Sequence, residues 1–273
     1  MDRRSFIVGT SATIIAGSAR GDFPQRPRQI HLLGDSIFRG YGLGKFSDTL
    51  SPDTPMYGLS SMALMANPVL RENAIPVVVR PWAILGRLSQ PGLPATIKAY
   101  IDSGVTRPED WLVLEDAGDH NEDPTAYQAA LQEVLGAAAG LQCVCTTIPD
   151  YPPAPPSCQF DRQIHGMSIN QAVQAAAAAR SVPVIDMNSI MDAYKAACAE
   201  NDRVDVFHPD GIHPNVWGQM KWIGAILSFI GVAKSIRSYE SLKSQVSSNY
   251  ASLAYGGSMD AAKAQSYCKA ILG

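Results

Sequence analysis

"HLLGDSIFRGYG", residues 31–42, sets a short apolar run against a small acidic turn and then a string of glycines. The run reads as the end of a strand spanning Gln29 to Leu33, and the turn as the point where the chain leaves a sheet. Gly34 permits a tight turn, and a helix beginning near Ser36 would leave its first backbone N–H groups unpaired and aimed at whatever binds there. Ser36 is then either a nucleophile carrying its own oxyanion donor or one residue of an ordinary surface turn. Turn composition cannot separate the two, so the rest of the chain has to supply a base and an orienting acid.

Outward from that turn, short β-branched runs alternate with longer Ala-rich ones. Strands are expected at Gln29 to Leu33, Ile75 to Val79, Trp111 to Glu115, Leu141 to Ile148 and Val182 to Asp186. Helices are expected at Pro124 to Ala139, Arg162 to Arg180, Ser189 to Glu200 and Pro214 to Ile230. In the last helix Val216, Met220, Ile223, Leu227 and Ile230 form one apolar stripe. Strands joined through helices imply a parallel sheet covered on both faces, and 273 residues with 46% hydrophobic positions can bury the core of one α/β domain. In such a sheet ligands gather at the carboxyl ends of the strands, where Ser36 lies. A formal charge of −3 and the absence of any basic, aromatic-interleaved patch exclude a nucleic-acid partner. The Pro-rich "PDYPPAPPS", residues 149–157, reads as a loop, and the polar tail beyond Ser235 as two short helices.

A serine hydroxyl needs a base, and five histidines are available. His31 falls inside the first strand and His165 on an Ala-rich helix, both reading as structural. His120 and His208 lie in loops. His213, in "HPDGIHPNVWGQ", follows Asp210 by three residues in a Gly-containing turn, so one ring nitrogen can meet the carboxylate while the other faces the serine. Pro214 suits the first position of the helix that follows, fixing the base at a rigid junction.

Together "GDSIFRGYG" and "DGIHPNVWG" resemble blocks one and five of the SGNH hydrolases, also called GDSL esterases and lipases, and the resemblance covers residues 28–231. It implies a single-domain three-layer α/β/α sandwich with a mostly parallel, flavodoxin-like sheet, with Ser36, His213 and Asp210 as nucleophile, base and orienter. It further implies oxyanion donors from Ser36, from Gly86 in "WAILGRLS", and from the third block within "LEDAGDHNED". That block departs from the family's Gly-x-Asn-Asp. Asn121 is preferred because a neutral amide donates without competing as a base, with His120 as the alternative. Rival readings of the same residues are a calcium loop at Asp119, Asn121 and Asp123, a carboxylate pair at Glu115 and Asp116, and a metal cluster of His208, Asp210 and His213. Each explains fewer residues, and neither a metal nor another cofactor is expected.

The N-terminal "MDRRSFIVGTSATIIAGSARG" joins Arg3 and Arg4 to an apolar stretch from Phe6 to Ala19. That is too short to span a bilayer of about 30 Å, so residues 1–20 read as a cleaved, twin-arginine-like leader that sends the protein to the periplasm or beyond. Residues 232–273 form a C-terminal helical extension expected to pack on the same domain. Five cysteines leave at least one thiol without an intramolecular partner, and Cys143 and Cys145, two apart on a strand, read as buried small apolar residues. The other three are Cys158, Cys198 and Cys268. Export and family precedent point to short acyl esters, acetyl groups on a polysaccharide above all, with Arg39 and Arg87 as candidates for binding an anionic sugar. An O-acyltransferase with the same triad, a lipase or arylesterase, and a non-catalytic glycan-binding protein are the alternatives.

Overall fold

The computed structural model describes residues 27–39, 62–83, 92–115, 122–150, 159–199, 213–253 and 260–272. Five strands form one sheet: β1 (Arg28–Gly34), β2 (Val77–Ala83), β3 (Trp111–Leu114), β4 (Gln142–Thr146) and β5 (Val184–Ile185). Their order is β2-β1-β3-β4-β5, and every neighbouring pair is parallel. The connections from β1 and from β2 run in opposite directions across the sheet, so the crevice beyond the carboxyl ends of β1 and β3 is the topological switch point. The fold is the expected α/β sandwich with a parallel sheet.

The helices are α1 (Ser36–Arg39), α2 (Met62–Glu72), α3 (Leu93–Asp102), α4 (Pro124–Ala137), α5 (Ile169–Ala179), α6 (Met187–Ala199), α7 (Val216–Phe229), α8 (Glu240–Leu253) and α9 (Ala261–Leu272). Helices α3, α4 and α5 pack in a row on one face, while α2 and α7 pack together on the other. The core between these layers is built of β-branched and long aliphatic side chains, among them Ile30, Leu32, Val79, Leu112, Val113 and Val144, which are at most 2% exposed.

Several boundaries differ from the sequence reading, each for a physical reason. Strand β2 begins two residues later and runs on through Pro81 to Ala83. It is an edge strand, so a proline that cannot donate a ladder hydrogen bond is tolerated. Its free edge is covered by Asn67, whose amide accepts from the Val79 N–H (2.8 Å) and donates to the Val79 carbonyl (3.0 Å). Helix α5 starts at Ile169, not Arg162, because Ser168 and Gln171 form a reciprocal capping box. His165 therefore sits in a turn ahead of the helix with φ 54°, not on a helix face. Helix α7 starts at Val216, two residues after Pro214, because the Asn215 carboxamide accepts from the N–H groups of Trp217 and Gly218. Helices α2 and α3 have no counterpart in the sequence reading.

The stripe expected on α7 understates its burial. Residues well beyond it, including Trp217, Gln219, Trp222 and Ile226, are at most 1% exposed, and only the face of Lys221, Ala225, Ser228 and Phe229 is left partly open. A helix buried over so wide an arc needs cover on both sides. The sheet layer supplies one side, and α9 packs on another, with Tyr267 edge-on to Trp217 at 5.3 Å. Helix α8 is tied to α2, where the Glu72 carboxylate accepts from the N–H groups of Glu240 and Ser241, and Asn73 bridges the backbone of Arg237 and Ser238. Cys143, Cys145 and Cys268 are buried free thiols, and burial pushes each up to about 12. Cys158 lies outside the described residues. Among the described residues no helix is long and apolar enough to cross a membrane.

Candidate active site

The end of β1 is shaped by contact with β3. Glu115 extends the ladder by donating its N–H to the Leu33 carbonyl (2.9 Å). A Cβ at position 34 would lie 2.1 Å from the Glu115 carbonyl oxygen, 2.6 Å from its Oε2 and 2.8 Å from a Phe38 ring carbon. Glycine is required here by that close approach, since Gly34 is not among the glycines with positive φ. Asp35 then turns the chain: its Oδ1 accepts the Ile37 N–H at 2.8 Å, starting α1 at Ser36. Ile37 and Phe38 are buried, and Phe38 meets Trp222 of α7 edge-on at 6.1 Å, which holds the single turn of α1 against the second face layer.

His213 reaches the same place from the far end of the chain. It lies two residues ahead of the Asn215 cap, so the start of α7 fixes its backbone. The Ser36 Oγ and His213 Nε2 are 2.9 Å apart, across a sequence separation of 177. Both side chains are buried, at 8% and 7% exposed. With Nε2 bare, the serine hydroxyl donates to the ring, the geometry a general base needs. Six residues on from His213, the Gln219 amide, 0% exposed, donates to the Ile37 carbonyl at 2.6 Å. Sequence reasoning assigned Gln219 no role. The signal was present: position 219 falls on the buried stripe between Val216 and Ile223, and a carboxamide on an apolar stripe needs a partner.

Gly86, Arg87, His120, Asn121, His208 and Asp210 lie outside the described residues. Arg39 is the last residue of α1. Of the residues in the rival readings, Glu115 is 1% exposed behind the Ser36 turn. Asp123 is the N-cap of α4, accepting from Thr125 and Ala126 N–H groups, which hold its carboxyl below the usual carboxylate range. Among the described residues no group of three or more His, Cys, Asp or Glu side chains is placed to hold a metal ion. The cleft bounded by Trp111, Gln142 and Arg180 lies at the amino ends of β3 and β4, away from Ser36.

Solved structures share this architecture. A GDSL-like lipase from Parabacteroides merdae superposes with a TM-score of 0.54 at 15% identity, covering 76% of this chain and 97% of its own. A two-domain esterase active on acetylated mannans gives 0.51 at 16% identity, with 77% of this chain and 50% of that one covered. A point mutant of a Geobacillus acetyl-xylooligosaccharide esterase also gives 0.51 at 16%, covering 75% and 94%. No curated protein has a significant sequence match to the chain. The model of the GDSL-like lipase/acylhydrolase family matches residues 32–221, a span that begins in β1 and ends within α7, beyond His213. The chain therefore belongs to the GDSL-like lipase/acylhydrolase family and is an ester hydrolase.

Proposed function

We propose that this enzyme removes short acyl groups, acetyl above all, from a carbohydrate or polysaccharide through an acyl-enzyme on Ser36. The observation that carries the mechanism is the 2.9 Å contact between Ser36 Oγ and His213 Nε2 at the carboxyl edge of the sheet. His213 takes the hydroxyl proton as Oγ attacks the ester carbonyl. It returns that proton to the departing alcohol oxygen, and then activates the water that releases the acid. Asp210, three residues before His213, is assigned to orient the imidazole. The N–H groups of Ser36 and Gly86 and the Asn121 amide, with His120 as its alternative, are assigned to the oxyanion. Arg39 and Arg87 are assigned to anionic groups on the substrate.

Two lines support the carbohydrate assignment: the leader-like N-terminus, which would place the enzyme outside the cytoplasm, and the likeness to esterases acting on acetylated mannans and acetyl-xylooligosaccharides. The test is acetate release from acetylated xylan and mannan, alongside p-nitrophenyl esters of increasing chain length, by wild type and Ser36→Ala. The expected result is release from the polymers and from the acetate ester, falling steeply with acyl length and reduced at least about 10⁴-fold by the substitution. Equal release by both proteins would remove the mechanism. A preference for long acyl chains would remove the substrate class, and transfer of acetyl to an added acceptor glycan in place of water would make the enzyme an acyltransferase.

A further inference from the structure

We propose that Gln219 is the positioning residue that sets the separation of Ser36 and His213, an inference that rests on those two being the reacting pair. Helix α1 is a single turn of four residues, too short to hold its place by its own hydrogen bonds. Its placement relative to α7 must come from tertiary contacts, and among the described residues three tie it to α7 and the residues just ahead of that helix. Ser36 Oγ meets His213 Nε2, the Ile37 carbonyl accepts from Gln219 Nε2 at 2.6 Å, and Phe38 packs edge-on against Trp222. The Gln219 contact is a directional bond from an α7 side chain to the α1 backbone. It acts on the residue next to the nucleophile, while on the other side Asn215 locks the first turn of α7 and with it His213.

The energetics of the amide favour a role beyond stability. Gln219 is fully buried, and among the described residues its Oε1 has no hydrogen-bond partner. A buried carbonyl left unpaired costs stability, and an apolar side chain of the same length would avoid that cost while filling the same space. What the apolar side chain would not supply is the donor to Ile37. Complete burial also keeps Gln219 from touching a substrate, so it acts through α1 and not on the ester. Displacing a nucleophile by about 1 Å can lower turnover about 100-fold, which is the scale on which a lost tie of this kind acts.

The experiment compares wild type, Ser36→Ala, Gln219→Met and Gln219→Asn on p-nitrophenyl acetate, with thermal melts of each. Methionine keeps the length and volume but donates nothing; asparagine keeps the amide but falls one methylene short of Ile37. The inference expects kcat for Gln219→Met to fall about 10- to 100-fold with KM within twofold and a melting temperature equal to or above wild type. It expects Gln219→Asn to lose kcat as well. A Met variant whose kcat stays within twofold of wild type overturns it, as does one in which KM rises and kcat holds. Should Gln219→Met fail to melt cooperatively, the same criterion applied to Gln219→Asn decides. Equal turnover by wild type and Ser36→Ala is a different failure: it removes the reacting pair, and the role of Gln219 with it.

Discussion

Two buried histidines each meet a hydroxyl in this domain, at different levels of the same strand. His213 meets the Ser36 hydroxyl just past the carboxyl end of β1. His31, within β1, meets Tyr100 Oη of α3 at 2.7 Å, with Asp110 Oδ2 3.6 Å from its other ring nitrogen. The His31 cluster sets a hydroxyl, an imidazole and a carboxylate in a row, the residue types a relay uses. What separates the two is how far their groups are already engaged. His31 is 0% exposed, and Tyr100 is stacked under Trp82 at 4.3 Å. Asp110 already accepts from the Gln29 N–H, the Arg107 N–H and the Arg107 guanidinium. That cluster bridges β1, α3 and the approach to β3, so it serves cohesion. The Ser36 pair lies at the switch point, where the strand ends stop and a ligand can approach. Under the proposed function a histidine–hydroxyl bond becomes chemistry by its position in the topology, and the same bond inside the layers is structure.

The sharpest way to break this contrast is to exchange each imidazole for an amide. His213→Gln should lower kcat/KM for p-nitrophenyl acetate about 10⁴-fold with little change in melting temperature, whereas His31→Gln should cost about 1 to 3 kcal/mol of stability and leave the turnover of folded enzyme within severalfold. Reversal of that pattern would make His31 the working base. Next in size is Asp110→Asn. Burial draws the Asp110 carboxyl upward, but the Arg107 guanidinium and the N–H groups of Gln29 and Arg107 outweigh it and hold it below its ordinary value. Its contribution is therefore complete above its unfolded pKa near 4 and is lost as pH falls through the lower folded value. The Asn variant should be about 2 kcal/mol less stable by denaturant titration at pH 7, and the gap should close below pH 4.

Smaller again is Tyr100→Phe, which removes one hydroxyl from His31 and should cost about 1 kcal/mol without a change in kcat. A kcat loss as large as that of Ser36→Ala would contradict the division between the two clusters. The least effect belongs to the thiols. Burial raises Cys143 to about 12, so the folded state keeps its proton while the unfolded chain ionises near 9. Stability tied to this group is full below pH 9 and declines as pH rises toward 12. Cys143→Ala should flatten part of that alkaline decline in melts followed from pH 8 to 10.

Much of this was legible in the sequence because it was local. Alternating hydrophobic runs defined a parallel sheet between helices, and the acidic serine turn after the first run marked the place where β1 stops. The errors fell where a partner distant in sequence settles the outcome. Strand β2 runs through Pro81 only because it is an edge strand, and α7 is buried over so wide an arc only because α9 covers part of it. His165 is the exception, a local error: it left its expected helix because the Ser168–Gln171 box starts that helix later. Gly34 was read as a turn glycine, whereas its necessity comes from the Glu115 backbone pressing on it. Gln219 passed unnoticed because its meaning depends on a carbonyl 182 residues away.

The sequence by itself determined the layered α/β class, the serine turn and the presence of a histidine with a nearby carboxylate, since each is written in residue types at short spacing. Only the tertiary structure decided which histidine shares a bond with which hydroxyl, and which of those bonds stands at the edge of the sheet. The reason is physical. Pairing across well over a hundred residues is fixed by how helices pack on the sheet, and a side chain's place inside the layers or at the strand ends belongs to the packed molecule and not to any segment of it.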